Sequence, residues 1–133
     1  LISVLIPACF CAVKIKADIE GTLTCSTPFY HHVYLWDDDA PWADDFIKGH
    51  SANESTVGAH KYRVFGDIKD CCLETDVEPF LTIEHSCGGK YACLCMMWSG
   101  GVYRHIRTTI NIDLEHNNYS YCNRCENAKK RRQ

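Results

Sequence analysis

The 133-residue sequence has no large excess of either charge and no apolar stretch of the length that crosses a bilayer. Its 14 Lys and Arg stand against 17 Asp and Glu, which gives a formal net charge of −3. Recognition of nucleic acid needs a basic face, so the composition gives no electrostatic case for such a partner. A membrane-spanning helix takes about 20 apolar residues, and the uncharged apolar run 1–13 is shorter than that.

Signatures of common catalytic sites are also missing. The chain contains no Gly-x-Ser-x-Gly element and no phosphate-binding glycine loop, and no paired carboxylates stand out. No window shows an apolar stripe with the 3.6-residue period of a helix. These absences predict a non-enzymatic protein that needs no cofactor and is built from strands.

Cysteine, by contrast, is abundant, with ten residues in a chain long enough for one domain. Reducing compartments keep thiols free, so this density indicates an oxidising compartment or metal binding. Residues 1–13 favour the first, because their length and apolar character fit the hydrophobic part of a secretory signal. The usual Met and basic start are absent, which predicts a leader truncated at its start. The alternative for 1–13 is a buried N-terminal strand.

Cleavage near residue 13 would remove Cys9 and Cys11 and leave an even number of cysteines for disulfide bonds. The predicted mature domain covers 14–125, and the basic tail 126–133 is expected to be disordered and solvated. A role of this tail in binding anionic lipid or sulfated sugar is the alternative. The eight remaining cysteines are predicted to form disulfides: Cys25, Cys71, Cys72, Cys87, Cys93, Cys95, Cys122 and Cys125.

Alternation of apolar and polar residues, the period of a half-buried strand, dominates the chain. Gly21 interrupts the first such segment and predicts a bulge or bend, and residues 26–28 are predicted to end it. Residues 51–59 are polar and are predicted to form a loop, whereas 91–98 is apolar on both faces and therefore central or packed on two sides. The predicted strands are 15–25, 32–36, 46–50, 60–65, 80–87, 91–98 and 108–114. Seven short strands with turns between them favour a two-sheet antiparallel β-sandwich.

Four of these segments resemble, in order, the strands of the nematode transthyretin-like family. Residues 19–25 (IEGTLTC) look like the strand that opens that domain, and 33–39 (VYLWDDD) resemble its second strand and acidic loop. Residues 79–87 (PFLTIEHSC) are similar to the family's Pro-x-Leu-x-Ile-x-His-x-Cys strand, and 109–114 (TINIDL) to its closing strand. The resemblance implies a secreted transthyretin-like sandwich with no established catalytic activity. It also implies carriage or bridging of extracellular ligands.

Two disulfide pairings are suggested by the order of the residues. Cys87 and Cys93 flank the Gly88-Gly89 turn and are predicted to pair, while Cys25 is predicted to reach Cys122 or Cys125. Cys71, Cys72 and Cys95 remain unassigned. The alternative is a zinc site built on Cys122-x-x-Cys125 with Cys71, Cys72 or His85, but adjacent cysteines make a poor half-site. A redox role of Cys122-x-x-Cys125 is weaker still, because no strand-to-helix context accompanies it.

An acidic segment and two sequons complete the set of candidate ligand and modification sites. The carboxylates of 37–39 and 44–45 could hold calcium, but they lack the EF-hand spacing, so a solvated loop is favoured and no metal is predicted. Asn53 and Asn118 begin Asn-x-Ser sequons and are candidate glycosylation sites.

The function predicted from these features is a secreted, extracellular binding or carrier module. Its predicted partner is a small hydrophobic or lipid ligand or a cell-surface protein, and a homo-oligomer is compatible with the sequence. The strand aromatics Tyr34, Trp36 and Tyr62 could form a contact surface or fill the core. The alternative function is a secreted hydrolase of the hydroxyisourate hydrolase type, which would use His and Arg residues. His85 and His105 are candidates for it, although a buried core role is favoured for His85.

Overall fold

In a computed structural model, the described backbone covers residues 12–37, 45–70, 78–98, 105–116 and 125. Side chains are described for 15–37, 46–52, 57–68, 78–98, 105–116 and 125. Apart from the 3-10 turn Cys87–Gly89, every element in these ranges is a strand. The strands are β1 (Ala12–Asp37), β2 (Asp45–Asp70), β3 (Pro79–His85), β4 (Ala92–Met97), β5 (His105–Thr109) and β6 (Ile112–Asp113). The described part of the chain contains no helix long and apolar enough to cross a membrane.

Strands β1 and β2 form one long antiparallel hairpin that occupies most of the described structure. Residues 12–25 of β1 pair with 58–70 of β2, and residues 31–37 pair with 45–52. The register shifts between Cys25 and Phe29 and again between Phe29 and His31. Segment 26–28 therefore bends β1 without ending it. Pro28 has no amide hydrogen to give to a ladder, which favours such an irregularity.

The prediction that 51–59 is a loop is wrong, because β2 runs through this segment. Its polar composition suggested a connection between two short strands. The backbone of β1 instead offers it partners, as in the pairing of Phe29 with Thr56. Main-chain hydrogen bonding to a neighbour fixes a strand even where the side chains show no apolar face.

The other strands add to β1 on its free side. The sheet order is β2-β1-β3-β4, with antiparallel pairing throughout, and β5 and β6 also pair with β1 but run parallel to it. All seven residues of β3 are buried, because apolar side chains pack on both faces of this strand, with Leu81 and Ile83 on one face and Phe80 on the other. Strand β4 ends this order, so of the two predicted alternatives, central or packed on two sides, the structure fits the second. Its apolar sequence reflects burial of Cys93, Leu94 and Cys95.

The predicted closing strand 108–114 is divided into β5 and β6. Between them, the Thr22 amide donates to the side-chain Oδ1 of Asn111 at 3.0 Å. The Ile110 carbonyl accepts from the Tyr62 hydroxyl at 2.8 Å. Side chains thus replace the ladder at this point, and the segment still follows β1 because the Ile110 amide donates to the Glu20 carbonyl.

Gly21 lies beside this interruption, and its role differs from the predicted bulge. The register of β1 with β2 is regular there, and Gly21 pairs with Tyr62. A Cβ atom on Gly21 would overlap the Ile110 carbonyl and lie 2.9 Å from the Tyr62 hydroxyl oxygen. The position therefore requires glycine because another backbone segment approaches it closely.

Two apolar clusters hold the strands together. The larger one takes side chains from both halves of the hairpin, for example Ile19 and Val64 from one half and Val33 and Leu35 from the other. The smaller one lies on the opposite side of the half in which residues 31–37 pair with 45–52. It consists of Tyr34, Trp36, Phe80 and Cys95, with Phe46 and Cys125 against it. Tyr34, Trp36 and Tyr62 are all buried. They fill the interior and do not form the contact surface considered from the sequence.

The smaller cluster contains one buried polar contact with a measurable contribution to stability. The indole Nε1 of Trp36 donates to the Thr82 hydroxyl at 2.9 Å, and both residues are buried. We expect Thr82→Val to lower the free energy of unfolding by about 1–3 kcal/mol, because the indole N–H would lose its partner in the interior. Urea unfolding measures this loss. The same change at exposed Thr109 is the control and should cost less than about 0.5 kcal/mol.

Candidate functional site

Disulfide bonding is confirmed, but the predicted pairings are wrong. Cys25 is bonded to Cys87, and Cys93 is bonded to Cys125. Alternation along the chain explains the difference. Cys93 is paired in register with Glu84, one residue before His85, and so projects from the opposite face to the core residues around Cys87. Cys87 instead meets Cys25, which belongs to the larger cluster.

The remaining described cysteine, Cys95, is also disulfide-bonded. Its partner lies outside the described residues, as do Cys71, Cys72 and Cys122. The zinc site considered on Cys122-x-x-Cys125 would need a free Cys125 thiolate, but this sulfur is bonded to Cys93. Among the described residues, three potential metal-ligating side chains converge only at Cys25, Cys87 and Glu115. Both of these sulfurs belong to a disulfide, so this group is not a metal site.

Most of the acidic segment and the sequons lie outside the described residues. Of the carboxylates, Asp37 is buried at the end of β1, and its Oδ1 accepts a hydrogen bond from the Glu78 amide at 3.2 Å. This carboxylate therefore joins two backbone segments. The backbone of Asn53 belongs to β2, but its side chain is not described. Asn118 is outside the described ranges, together with residues 1–11 of the predicted leader 1–13 and the tail 126–133.

The two candidate catalytic histidines, His85 and His105, lie in different environments. His85 is buried, and its Nδ1 accepts from the Cys87 amide at 3.1 Å, which fits the predicted core role. Burial lowers its pKa. Its Nε2 has no hydrogen-bond partner among the described residues. His105, in contrast, is exposed on β5. The structure does not bring these two candidate catalytic residues together.

A histidine trio that sequence reasoning missed lies inside the hairpin. His31 Nδ1 is 2.9 Å from His60 Nδ1, and His31 Nε2 is 3.1 Å from His50 Nδ1. The Phe29 ring stacks on His60 with centroids 3.8 Å apart. Burial, followed by the neighbouring histidines, lowers the pKa of His31 to about 4. No sequence signal places the trio together, because its members lie in different parts of the hairpin.

An accessible set of functional groups lies on the solvent side of residues 63–67 of β2, 16–20 of β1 and 105–109 of β5, here called the outer face. In register across it lie Asp67, Lys16 and His105, then Phe65, Asp18 and Arg107, then Arg63, Glu20 and Thr109. These side chains alternate with buried apolar residues of the same strands, such as Ala17 and Val64. The face is thus the polar half of the strand pattern.

Asp18 and Arg63 form the fixed centre of the outer face. Both terminal oxygens of Asp18 accept from the Arg63 guanidinium, each at 2.9 Å. This hydrogen bond lowers the pKa of Asp18 and raises that of Arg63. Arg107 lies directly across from Asp18 on β5. Arg107 makes no hydrogen bond or short ion pair within the described part of the chain, although its charge also lowers the pKa of Asp18.

Two depressions open on the outer face, with volumes of about 280 Å³ and about 650 Å³. Both are lined by Asp18 and Arg107. The smaller also contains Lys16, His105 and the ring of Phe65. Their sizes fall within or close to the range of small-ligand sites, although both are open to solvent.

Phe65 is the residue of this face that sequence reasoning overlooked. Its side chain is 55% exposed, and cationic groups of Lys48 and Arg63 lie 5.9 Å and 5.1 Å from its ring centroid. The signal was present in the sequence. Tyr62 and Val64 form the apolar side of the predicted strand 60–65, so the alternation places Phe65 on the outside with Arg63.

Comparison with protein-family models, with curated proteins and with solved structures gives no match to this chain.

Proposed function

We propose that this protein is a secreted, extracellular, non-enzymatic binding module that uses its outer face to hold a small hydrophobic or lipid ligand with an anionic group. The observation that carries the proposal is the exposed ring of Phe65, close to the cationic groups of Lys48 and Arg63 on an otherwise polar face. A large aromatic side chain in such a position offers apolar contact to a partner.

The disulfide bonds support the extracellular part of the proposal. Two bonds join described cysteines, and Cys95 belongs to a further one. Such bonds persist in oxidising environments and are rare in the cytosol. The non-enzymatic part rests on the separation of His85 from His105.

The proposed fold is a transthyretin-like sandwich of two layers, one from each half of the bent hairpin. Its support is the shared apolar cluster, to which both halves of β1 and β2 contribute. The close approach of β2 to itself adds to this, because a Cβ atom on Gly66 would lie 3.0 Å from Ile47. Strands that fold back over their own apolar side bury it as a sandwich does.

The groups of the smaller depression suit a ligand with a charged end and an apolar body. Lys16 and His105 pair across the strands, and Arg107 follows His105 on the same side of β5. None of the three has a hydrogen-bonded partner among the described residues, so each is available to a carboxylate, sulfate or phosphate. Phe65 lies on the far side of Asp18 from Arg107 and would contact the apolar part.

A vesicle-binding assay with the full chain tests this proposal. The probes are neutral phosphatidylcholine vesicles with and without about a third of an anionic lipid. We expect binding to require the anionic lipid, and Arg107→Gln or Lys16→Gln to weaken it about fivefold each, because a cation near such a surface contributes about 1 kcal/mol. Phe65→Ser should weaken it at least fivefold through lost apolar contact.

Val57→Ser is the matched control, because Val57 is 62% exposed on the same strand as Phe65 but lines neither depression. It should leave vesicle binding unchanged. Equal effects of the Phe65 and Val57 variants would contradict the assignment of the face. Absence of vesicle binding, with capture of a cell-surface protein that Phe65→Ser abolishes, would keep the face but replace the lipid with a protein partner.

A hydrolase of the hydroxyisourate hydrolase type is the second candidate, because His105 and Arg107 line one depression. Turnover of an isourate-like substrate that is lost in His105→Asn would favour it over the binding module. His85 cannot serve with His105 in this site, since it is buried on the core side of β3.

A further inference from the structure

We propose that the hydrogen-bonded trio His50–His31–His60 is an acid-sensitive latch inside the long hairpin, which accepts one added proton and must break at the second. The latch is independent of the proposed binding function. It rests on where the three rings lie and on how many hydrogen atoms their two contacts can hold.

The trio joins the two halves of the hairpin by a polar contact. His31 and His50 belong to the half in which residues 31–37 pair with 45–52, whereas His60 pairs with Leu23 in the other half. The contact from His31 Nδ1 to His60 Nδ1 therefore links the two halves through a polar bond within the larger apolar cluster. Both His31 and His60 are buried, with exposures of 1% and 8%.

Each nitrogen-to-nitrogen contact can hold one hydrogen atom. With all three rings neutral, His31 donates through one nitrogen and accepts through the other, and both contacts are satisfied. One added proton is also accommodated, because a cationic His31 can donate to both neighbours. Two added protons are not, since any two cationic rings leave one contact with hydrogen atoms on both nitrogens.

The charged groups that act on His31 do not compensate for a proton added to its ring. The charges that act on His31 come from His50, His60 and His32, and all have the same sign when protonated. From β3, His85 is paired in register with His31, and Glu84 projects to the opposite face, where the Tyr91 hydroxyl donates to it at 2.8 Å. Beside the trio on β1, Phe29 contributes only an aromatic ring.

The direction of the pH effect follows from burial. The pKa of His31 is lowered from 6.5 to about 4 in the fold, so the unfolded chain binds this proton first as the pH falls. The stability that neutral His31 contributes is therefore fully present above about pH 6.5 and is lost progressively between pH 6.5 and pH 4. Over this window, each pH unit should raise the unfolding equilibrium constant about tenfold through this one proton.

The test compares denaturant unfolding of the full chain from pH 7.5 to pH 4.5 for wild type, His31→Gln and His105→Gln. Glutamine keeps a donor and an acceptor but does not titrate. As the pH falls from 6.5 to 4.5, we expect the unfolding equilibrium constant of wild type to rise about tenfold more per pH unit than that of His31→Gln. His105→Gln, at an exposed position, should retain the wild-type dependence. An unchanged dependence in a folded His31→Gln would overturn the proposal.

Nitrogen-15 NMR of the wild-type imidazoles keeps the test decisive if His31→Gln does not fold. We expect His31 to stay neutral to about pH 5 and the trio to titrate in coupled steps, with the second proton accompanied by faster amide exchange at His31 and His60. Independent titration of the three rings near pH 6.5, with amide protection intact, would refute the latch.

Discussion

Removal of the Cys25–Cys87 bond by the double change C25A/C87A is expected to lower the free energy of unfolding by about 4 kcal/mol. The two cysteines are 62 residues apart in sequence, and a bond that closes a loop of this length strongly restricts the unfolded chain. The bond also ties β1 to the turn after β3, next to the larger apolar cluster. Denaturant unfolding of the oxidised protein measures the loss.

The double change C93A/C125A is the matched comparison, because its loop is shorter at 32 residues. It should cost between about 3 and 4 kcal/mol by the same relation. Peptide mapping without reduction verifies that each variant keeps the other bond. A loss below about 1 kcal/mol in C25A/C87A, or a Cys25 peptide linked to a different cysteine, would contradict the assigned pairing.

Gly21→Ala is expected to cost about 3 kcal/mol, although it adds a single methyl group. That methyl would overlap the carbonyl of Ile110, a backbone atom that cannot rotate away as a flexible side chain does. The same carbonyl accepts from the Tyr62 hydroxyl, so any shift that relieves the overlap also weakens this hydrogen bond. Thermal or urea unfolding shows the effect.

Gly88→Ala is the control for the chemical change itself. Gly88 has a φ of 77° with no atom close to an added Cβ, so alanine there meets only backbone strain of about 1 kcal/mol. Gly21→Ala should therefore cost clearly more than Gly88→Ala. Equal costs at the two positions would mean that β5 and β6 do not pass as closely over Gly21 as described.

The outer face was largely within reach of sequence reasoning, whereas the interior polar groups were not. Alternation within the predicted strand 15–25 places Lys16 and Asp18 on its polar side, and the same rule places Phe65 outside. The bidentate contact of Asp18 with Arg63 could not be predicted, because it depends on the register between β1 and β2. The histidine trio depends in addition on how the hairpin bends.

For the described residues, the sequence by itself determined that they form strands, which positions of several strands face inward, and that the cysteines form disulfides. These properties are local, since alternation acts between neighbouring residues and cysteine density reflects the compartment. Only the tertiary structure decided that segments 26–28 and 51–59 continue their strands, that Cys25 bonds to Cys87, and that His31 meets His60. Each of these depends on main-chain pairing and register between distant segments, which a pattern read along one segment does not contain.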